Sequence, residues 1–101
     1  MRLGPLLGFE QSFDTVVTVA QEMEAVGAGS VMLAEAGRSA VTQAAAVIAA
    51  TESIEVGTYV ANAFARSPWL TGLTARDLDE MSGGRFVLGV GTGNVHFNDW
   101  Y

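Results

Sequence analysis

The chain has 101 residues, half of them hydrophobic, which is enough for one small domain with a modest core and argues against disorder. It contains no cysteine, and this excludes disulfides, thiolate metal sites and a cysteine nucleophile. Lysine is also absent and the net charge is −6, so Schiff-base chemistry and a P-loop are excluded and nucleic-acid binding is disfavoured.

No apolar stretch approaches the roughly 20 residues that a membrane helix needs. The start of the chain lacks the sustained apolar core of a signal peptide. We therefore expect a soluble cytoplasmic protein without a membrane partner. Because no linker or low-complexity segment interrupts the chain, residues 1–101 are predicted to form a single domain.

The first half of the chain contains two short apolar runs, each followed by a helical pattern. Leu3–Phe9 precedes a helix with Ser12 as its N-cap and Gly27 as its stop signal. Ser30–Ala34 precedes an Ala-rich helix at about Val41–Thr51. The apolar stripe of the first helix comprises Phe13, Val16, Val17, Ala20 and Met23.

The second half repeats this pattern. The β-branched run Ile54–Val60 precedes a helix with Ser67 as N-cap and Pro68 at its first position. That helix is predicted to end at Gly83, and Phe86–Val90 forms the last apolar run. The predicted buried side of this third helix comprises Leu70, Leu73, Leu78 and Met81.

The order of elements is β-α-β-α-β-α-β. Apolar runs of this length suit strands that are buried on both faces, and their alternation with helices predicts right-handed crossovers and a parallel sheet. Topology alone leaves two folds open, a small doubly wound domain and half of an eight-unit barrel.

Two glycine-containing segments are candidate ligand sites. Gly89–Asn94 follows the fourth strand, and its glycines allow backbone amides to approach a phosphate or a flavin ring. The G-x-G-x-G spacing differs from the Rossmann fingerprint, so a simple strand-to-loop turn is the alternative. The pair Gly57-Thr58 marks either an irregular strand end near a ligand or an ordinary buried strand.

Three polar residues follow predicted strands. Glu35 closes the second strand, where it either contacts a ligand or is the first solvated residue. Arg38, in the next loop, could pair with Glu35, hold an anionic substrate or lie on the surface. His96 is the only histidine, which gives no metal site and no triad, and it is either a substrate-side residue or a loop residue.

Taken together, five segments resemble the bacterial-luciferase-like superfamily of flavin- and coenzyme F-420-dependent oxidoreductases. The loop Gly37-Arg38-Ser39 and the Thr/Asn pattern of the third strand place the nearest resemblance in the methylenetetrahydromethanopterin-reductase-like branch. The segments are Val31–Glu35, Gly57–Asn62, Ala65–Pro68, Leu78–Phe86 and Leu88–Gly93. The resemblance implies the N-terminal half of a (β/α)8 TIM barrel, with four parallel strands and three helices, and FMN or coenzyme F-420 as cofactor.

The resemblance also implies roles for individual residues. Family members often have a non-prolyl cis peptide at the end of the third strand, here Tyr59–Val60, behind the flavin ring. The segment Thr92, Gly93 and Asn94 matches positions that contact the ring system. Glu35 matches an acidic residue near the reactive edge of the ring and is therefore the expected catalytic residue, although Ala36 replaces the histidine that many relatives have next.

A barrel of this type needs about 250 residues, so strands five to eight and the phosphate-binding loops near strands seven and eight are expected to be missing. We therefore expect an incomplete barrel: a piece of an oxidoreductase that is inactive by itself and acts on a small-molecule substrate when complete. Its expected partner is a missing C-terminal half or a second copy. The alternatives are a non-catalytic, self-associating half-barrel and a small anion- or nucleotide-binding module.

Overall fold

A computed structural model describes residues 4–92. Within them, strands and helices alternate as the sequence predicts, and every strand pair is parallel. The elements in chain order are β1 (Leu6–Phe9), α1 (Phe13–Ala25), β2 (Ser30–Ala36), α2 (Ala40–Ala50), β3 (Glu55–Thr58), β4 (Ala61–Asn62), α3 (Pro68–Ser82), β5 (Phe86–Val87) and β6 (Val90–Gly91).

The main sheet has the order β1-β2-β3-β5, and β4 and β6 form a separate two-stranded ladder. The third and fourth predicted strands are therefore each divided in two, which the sequence did not predict. At the division, Thr58 Oγ1 donates to the carbonyl of Gly89 at 2.8 Å and accepts from its amide at 2.9 Å. This exchange replaces the regular ladder bonds where both strands are interrupted.

Side-chain caps fix the helix starts. Ser12 and Ser67 accept hydrogen bonds from the amides of Thr15 and Leu70, as predicted for N-caps. Ser39 caps α2 in the same way, so this helix begins one residue earlier than expected. Gly83 ends α3 in the left-handed conformation, with φ 63°.

The core lies between the sheet and the three helices. Val16 and Ala20 of α1, Val47 and Ile48 of α2, and Leu78 of α3 are buried against the strands. The core is completed by Val31 and Leu33 of β2, Val56 of β3, and Ile54, which directly precedes β3.

The predicted buried side of α3 is largely wrong. Leu78 is 3% exposed, whereas Leu70, Leu73 and Met81 are 49%, 41% and 55% exposed. The physical reason is position, because α3 is the last helix among the described residues and packs against α2 and β5 on one side only. In contrast, β2 and α2 lie in the middle and expose no large hydrophobic side chain.

At the amino ends of the strands, two charged side chains fasten the loops. Arg85 donates to the carbonyls of Ile48, Thr51, Ile54 and Ser82, and to the Thr51 hydroxyl. Glu24 Oε2 accepts from the amides of three consecutive residues, 52–54, at 2.7 to 3.0 Å. The segment from Ser82 to Phe86 thus lies where the sequence predicts, on the face opposite the strand ends that carry the candidate site.

Candidate active site at the carboxyl ends of the strands

The sequence-predicted site residues that the structure describes all lie near the carboxyl ends of the strands. In parallel (β/α) folds this is the face that carries ligand sites, because the loops that follow the strands converge there. We call residues 9–10, 35–40, 58–66 and 89–92 the carboxyl rim. Gly93, Asn94 and His96 lie outside the described residues.

Glu35 and Arg66 form a bidentate ion pair in this rim. Arg66 Nη1 donates to Glu35 Oε1 at 2.9 Å, and Nη2 donates to Oε2 at 2.6 Å. The two side chains are only 8% and 14% exposed, respectively. Short, paired bonds of this kind are the strongest arrangement available to a guanidinium and a carboxylate.

Backbone amides complete the surroundings of the Glu35 carboxylate. Oε1 also accepts from the amide of Asn62 at 2.9 Å, and Oε2 from the amide of Ala40 at 2.8 Å. Ala40 is the first residue of α2, where unpaired amides and the helix dipole favour a negative charge. Glu35 is therefore neither a surface residue nor a partner of Arg38.

Burial and hydrogen bonding shift the pKa of Glu35 in opposite directions. Burial alone raises the pKa of its carboxyl group, but the bonds from Arg66, Asn62 and Ala40 outweigh this effect and hold the pKa below the ordinary value of 4.5. Glu35 is therefore ionised at neutral pH.

The end of β3 is irregular. The strand stops at Thr58, pairing resumes at Ala61, and the intervening Tyr59–Val60 peptide bond is cis. The cis bond expected from the family resemblance is thus confirmed at that position. Thr58 is buried, whereas the Tyr59 side chain is 64% exposed, so the irregular end presents an aromatic ring at the rim.

The glycines that follow β5 pack against this irregular end. A Cβ on Gly89 would lie 2.2 Å from the carbonyl oxygen of Thr58, and one on Gly91 would lie 2.7 Å from Cγ2 of Val60. Both distances are shorter than non-bonded atoms allow. The close approach of the two chain segments therefore explains why glycine is needed at both positions. A bound ligand, the alternative that the sequence left open, is not required to explain them.

Arg38 does not pair with Glu35. Its guanidinium carbon lies 4.9 Å from the centroid of the Phe13 ring, a cation–π distance, and the side chain is partly buried. Sequence reasoning missed Arg66 as the partner of Glu35. The available signal was an arginine in the loop after the third strand, because loops that follow neighbouring parallel strands lie at the same edge.

Exposed aromatic side chains gather at the carboxyl end of the fold. All large aromatic side chains that are exposed among residues 4–92 lie at the carboxyl end of the fold, which provides apolar surface for a planar ring. They are Phe9, Phe13, Tyr59, Phe64 and Trp69. Arg66, the arginine at the centre of the rim, is already bonded to Glu35, so its charge is largely neutralised there.

Two further findings concern the same described part of the chain. Residues 4–92 contain no group of three or more histidine, aspartate or glutamate side chains arranged to hold a metal ion. None of their helices is long and apolar enough to cross a membrane.

Comparison with known proteins gives one consistent result. The family model of luciferase-like monooxygenases matches residues 1–100. A Mycobacterium tuberculosis protein named as a coenzyme F-420-dependent oxidoreductase is 34% identical over 108 residues, which include 100% of this chain and 30% of that protein.

Solved structures agree on the fold. The oxygenating constituent of the 3,6-diketocamphane monooxygenase of Pseudomonas putida, a structure in complex with FMN, matches with a TM-score of 0.85 at 20% identity, covering 99% of this chain and 32% of that chain. A monooxygenase from Streptomyces bottropensis matches with a TM-score of 0.74 at 26% identity, covering 89% of this chain and 32% of that chain. The predicted fold is confirmed, and the chain spans about a third of the length of these proteins.

Proposed function

Because the chain belongs to the luciferase-like monooxygenase family, we propose that it is the amino-terminal part of a flavin- or deazaflavin-dependent oxidoreductase whose carboxyl rim holds one side of the cofactor ring. The observation that carries this proposal is the irregular end of β3, where Tyr59 is 64% exposed beside a buried strand. An exposed aromatic ring at the carboxyl edge of a parallel sheet is suited to stacking against a planar ligand.

We propose coenzyme F-420 as the first candidate cofactor and FMN as the second. The curated relative named for coenzyme F-420 is 34% identical to this chain, whereas the FMN complex is 20% identical and supports the fold alone. When bound, either cofactor would supply the redox chemistry, and the protein would supply orientation and exclusion of water.

We propose roles for individual residues from their positions and from the family resemblance. Tyr59 and Val60 would form the wall behind the ring, and the Thr92 hydroxyl would contact its edge. Gly93 and Asn94, outside the described residues, are proposed for the same contact through the family resemblance. Arg38 and His96 remain proposals for the substrate side.

We propose that activity requires further β/α units in addition to residues 1–101. The relatives are about three times longer, and β1 and β5, the outer strands of the main sheet, lack a neighbour on one side among the described residues. Residues 1–101 would thus form one incomplete barrel domain that is inactive until further β/α units close it. Those units would come from a C-terminal half or, as the alternative that the open edges favour, from a second copy.

The test is a chimera in which this chain replaces the matched 30% of the Mycobacterium tuberculosis relative. Coenzyme F-420 and FMN are titrated separately, and binding is followed by cofactor fluorescence. We expect micromolar binding of one cofactor and a weakening of about tenfold in Tyr59→Ala, which corresponds to one lost stacking contact. Val26→Ala, an equally exposed apolar position at the amino end, is the matched control and should bind like the parent.

A folded chimera that binds neither cofactor would contradict the proposal. If Tyr59→Ala and Val26→Ala bind the cofactor equally well, the chain would still contribute to a cofactor site, but Tyr59 would not contact the ring.

A further inference from the structure

The charged pair at the centre of the carboxyl rim is formed by Glu35, the catalytic residue expected from the family resemblance, and Arg66. Resting on the proposed function, we infer that Glu35 and Arg66 form a positioning pair, which sets the rim against which the cofactor ring lies, and that Glu35 does not exchange a proton with substrate. The inference rests on how the two oxygens of Glu35 are used and on which segments they connect.

Both carboxylate oxygens of Glu35 are occupied. Each accepts one bond from the Arg66 guanidinium and one from a backbone amide, those of Asn62 and Ala40, all between 2.6 and 2.9 Å. A carboxylate has about four lone-pair sites, and the four donors occupy all of them. A general acid needs a proton on the carboxyl group at working pH, and protonation here would displace one of these donors.

The four bonds connect separate segments of the rim. Glu35 lies in β2, Ala40 begins α2, Asn62 lies in β4, and Arg66 precedes α3. Arg66 Nη2 also donates to the hydroxyl of Ser39, the cap of α2, at 3.2 Å. One carboxylate thus holds together the loops that follow two neighbouring strands.

The bond to Asn62 connects the pair to the proposed ring wall. Asn62 pairs with Gly91 across the β4–β6 ladder, and the Val60 side chain fills the space that a Cβ on the same glycine would need. Tyr59 and Val60 lie between Thr58, which is fixed by its bonds to Gly89, and the Asn62 amide, which is fixed by Glu35. Loss of the pair should therefore loosen the wall at one of its two ends.

The first test needs no cofactor. Amide hydrogen exchange, followed by mass spectrometry, compares the full chain with Glu35→Gln, Arg66→Gln, Arg66→Lys and the Glu35→Gln/Arg66→Gln double variant. In peptides covering residues 58–66 we expect at least tenfold faster exchange at Asn62 in each Gln variant, and no further increase in the double variant. Arg66→Lys keeps the positive charge but cannot form the two parallel hydrogen bonds of the guanidinium, so we expect an intermediate exchange rate.

Glu24→Gln is the matched control because Glu24 is also a carboxylate that accepts several backbone amides, at the opposite end of the fold. It should accelerate exchange at residues 52–54 and leave residues 58–66 unchanged. If one Gln variant fails to fold, Arg66→Lys, which retains the charge, still tests the coupling. Unchanged exchange at residues 58–66, or effects that add in the double variant, would overturn the inference.

The second test uses the chimera described above. A positioning pair predicts that Glu35→Gln and Arg66→Gln weaken cofactor binding and shift the cofactor absorption band to the same extent, while the pH profile of turnover keeps its shape. A proton-transferring Glu35 predicts instead that Glu35→Gln abolishes turnover with unchanged binding and that Arg66→Gln does not. Failure of the unsubstituted chimera to bind a cofactor would count against the proposed function alone, because the exchange result is independent of it.

Discussion

The two ends of the sheet use charged side chains for different purposes. At the amino end, Glu24 and Arg85 bond to backbone amides, carbonyls and hydroxyls of the adjoining loops. The large hydrophobic side chains exposed there, among them Val26 and Met81, are aliphatic. At the carboxyl end, Glu35 and Arg66 bond to each other within a rim where exposed aromatic rings gather.

This difference suggests that the amino end contributes mainly to stability and the carboxyl end to ligand binding. In (β/α) barrels the amino face contributes to stability, while the carboxyl face carries the chemistry. Arg85 bonds to the loops around it at the amino end, whereas the proposed positioning pair at the carboxyl end would also shape the surface that a ligand contacts. Substitutions at the amino end should therefore lower the stability of the protein, whereas substitutions at the carboxyl end should also change the structure of the carboxyl rim.

The largest effect is expected at Arg85. Arg85→Ala removes charged hydrogen bonds to the carbonyls of Ile48, Thr51 and Ile54, so the free energy of unfolding should fall by about 3 kcal/mol. Urea unfolding measures this loss. Arg76→Ala, an exposed arginine on α3, is the control and should change stability by less than about 0.5 kcal/mol. Similar losses in the two variants would show that the Arg85 bonds contribute little.

A smaller effect is expected where the rim is most tightly packed. Gly89→Ala would place a Cβ 2.2 Å from the Thr58 carbonyl oxygen, so β3 and β5 must separate locally, at a cost of about 2 kcal/mol. Gly72→Ala is the control, because its Cβ meets nothing within 4 Å and a helical alanine stabilises by up to about 1 kcal/mol. Urea unfolding should therefore give opposite signs for the two variants. A neutral Gly89→Ala would mean that the rim adapts to the extra methyl group.

The features that the sequence predicted well depend on neighbouring residues. The caps at Ser12 and Ser67 are bonded to amides three residues away, and the alternation of strands and helices follows from local apolar runs. The buried side of α3 was predicted wrongly, because apolar spacing shows which side a helix could bury but not whether a partner covers it.

The features that were missed depend on distant contacts. Glu35 lies 31 residues from Arg66, and Thr58 lies 31 residues from Gly89. The sequence offered Arg38, only three positions away, as the partner of Glu35, and it contained no signal for the division of the strands. The cis bond at Tyr59–Val60 came from family resemblance and not from local pattern.

The smallest effect concerns acid and tests whether the amino end depends on an ionised carboxylate. Hydrogen bonds from the amides of Ser53 and Ile54 lower the pKa of Glu24 from 4.5 to about 2, and burial opposes this only in part. Because the folded pKa lies below the unfolded one, the stabilisation is fully present above about pH 4.5 and is lost as pH falls towards 2. Glu24→Gln keeps an acceptor oxygen but loses the charge, so we expect about 1 kcal/mol lower stability at pH 7.

Urea unfolding of the parent and of Glu24→Gln between pH 7 and pH 2 checks this expectation. The difference between the two proteins should shrink steadily below pH 4.5, while both retain the acid sensitivity that the lowered pKa of Glu35 contributes. Equal stability of the two proteins at every pH in this range would show that the Glu24 charge is irrelevant and that an acceptor oxygen alone holds the loop. The amino end would then depend on hydrogen-bond geometry and not on an ionised carboxylate.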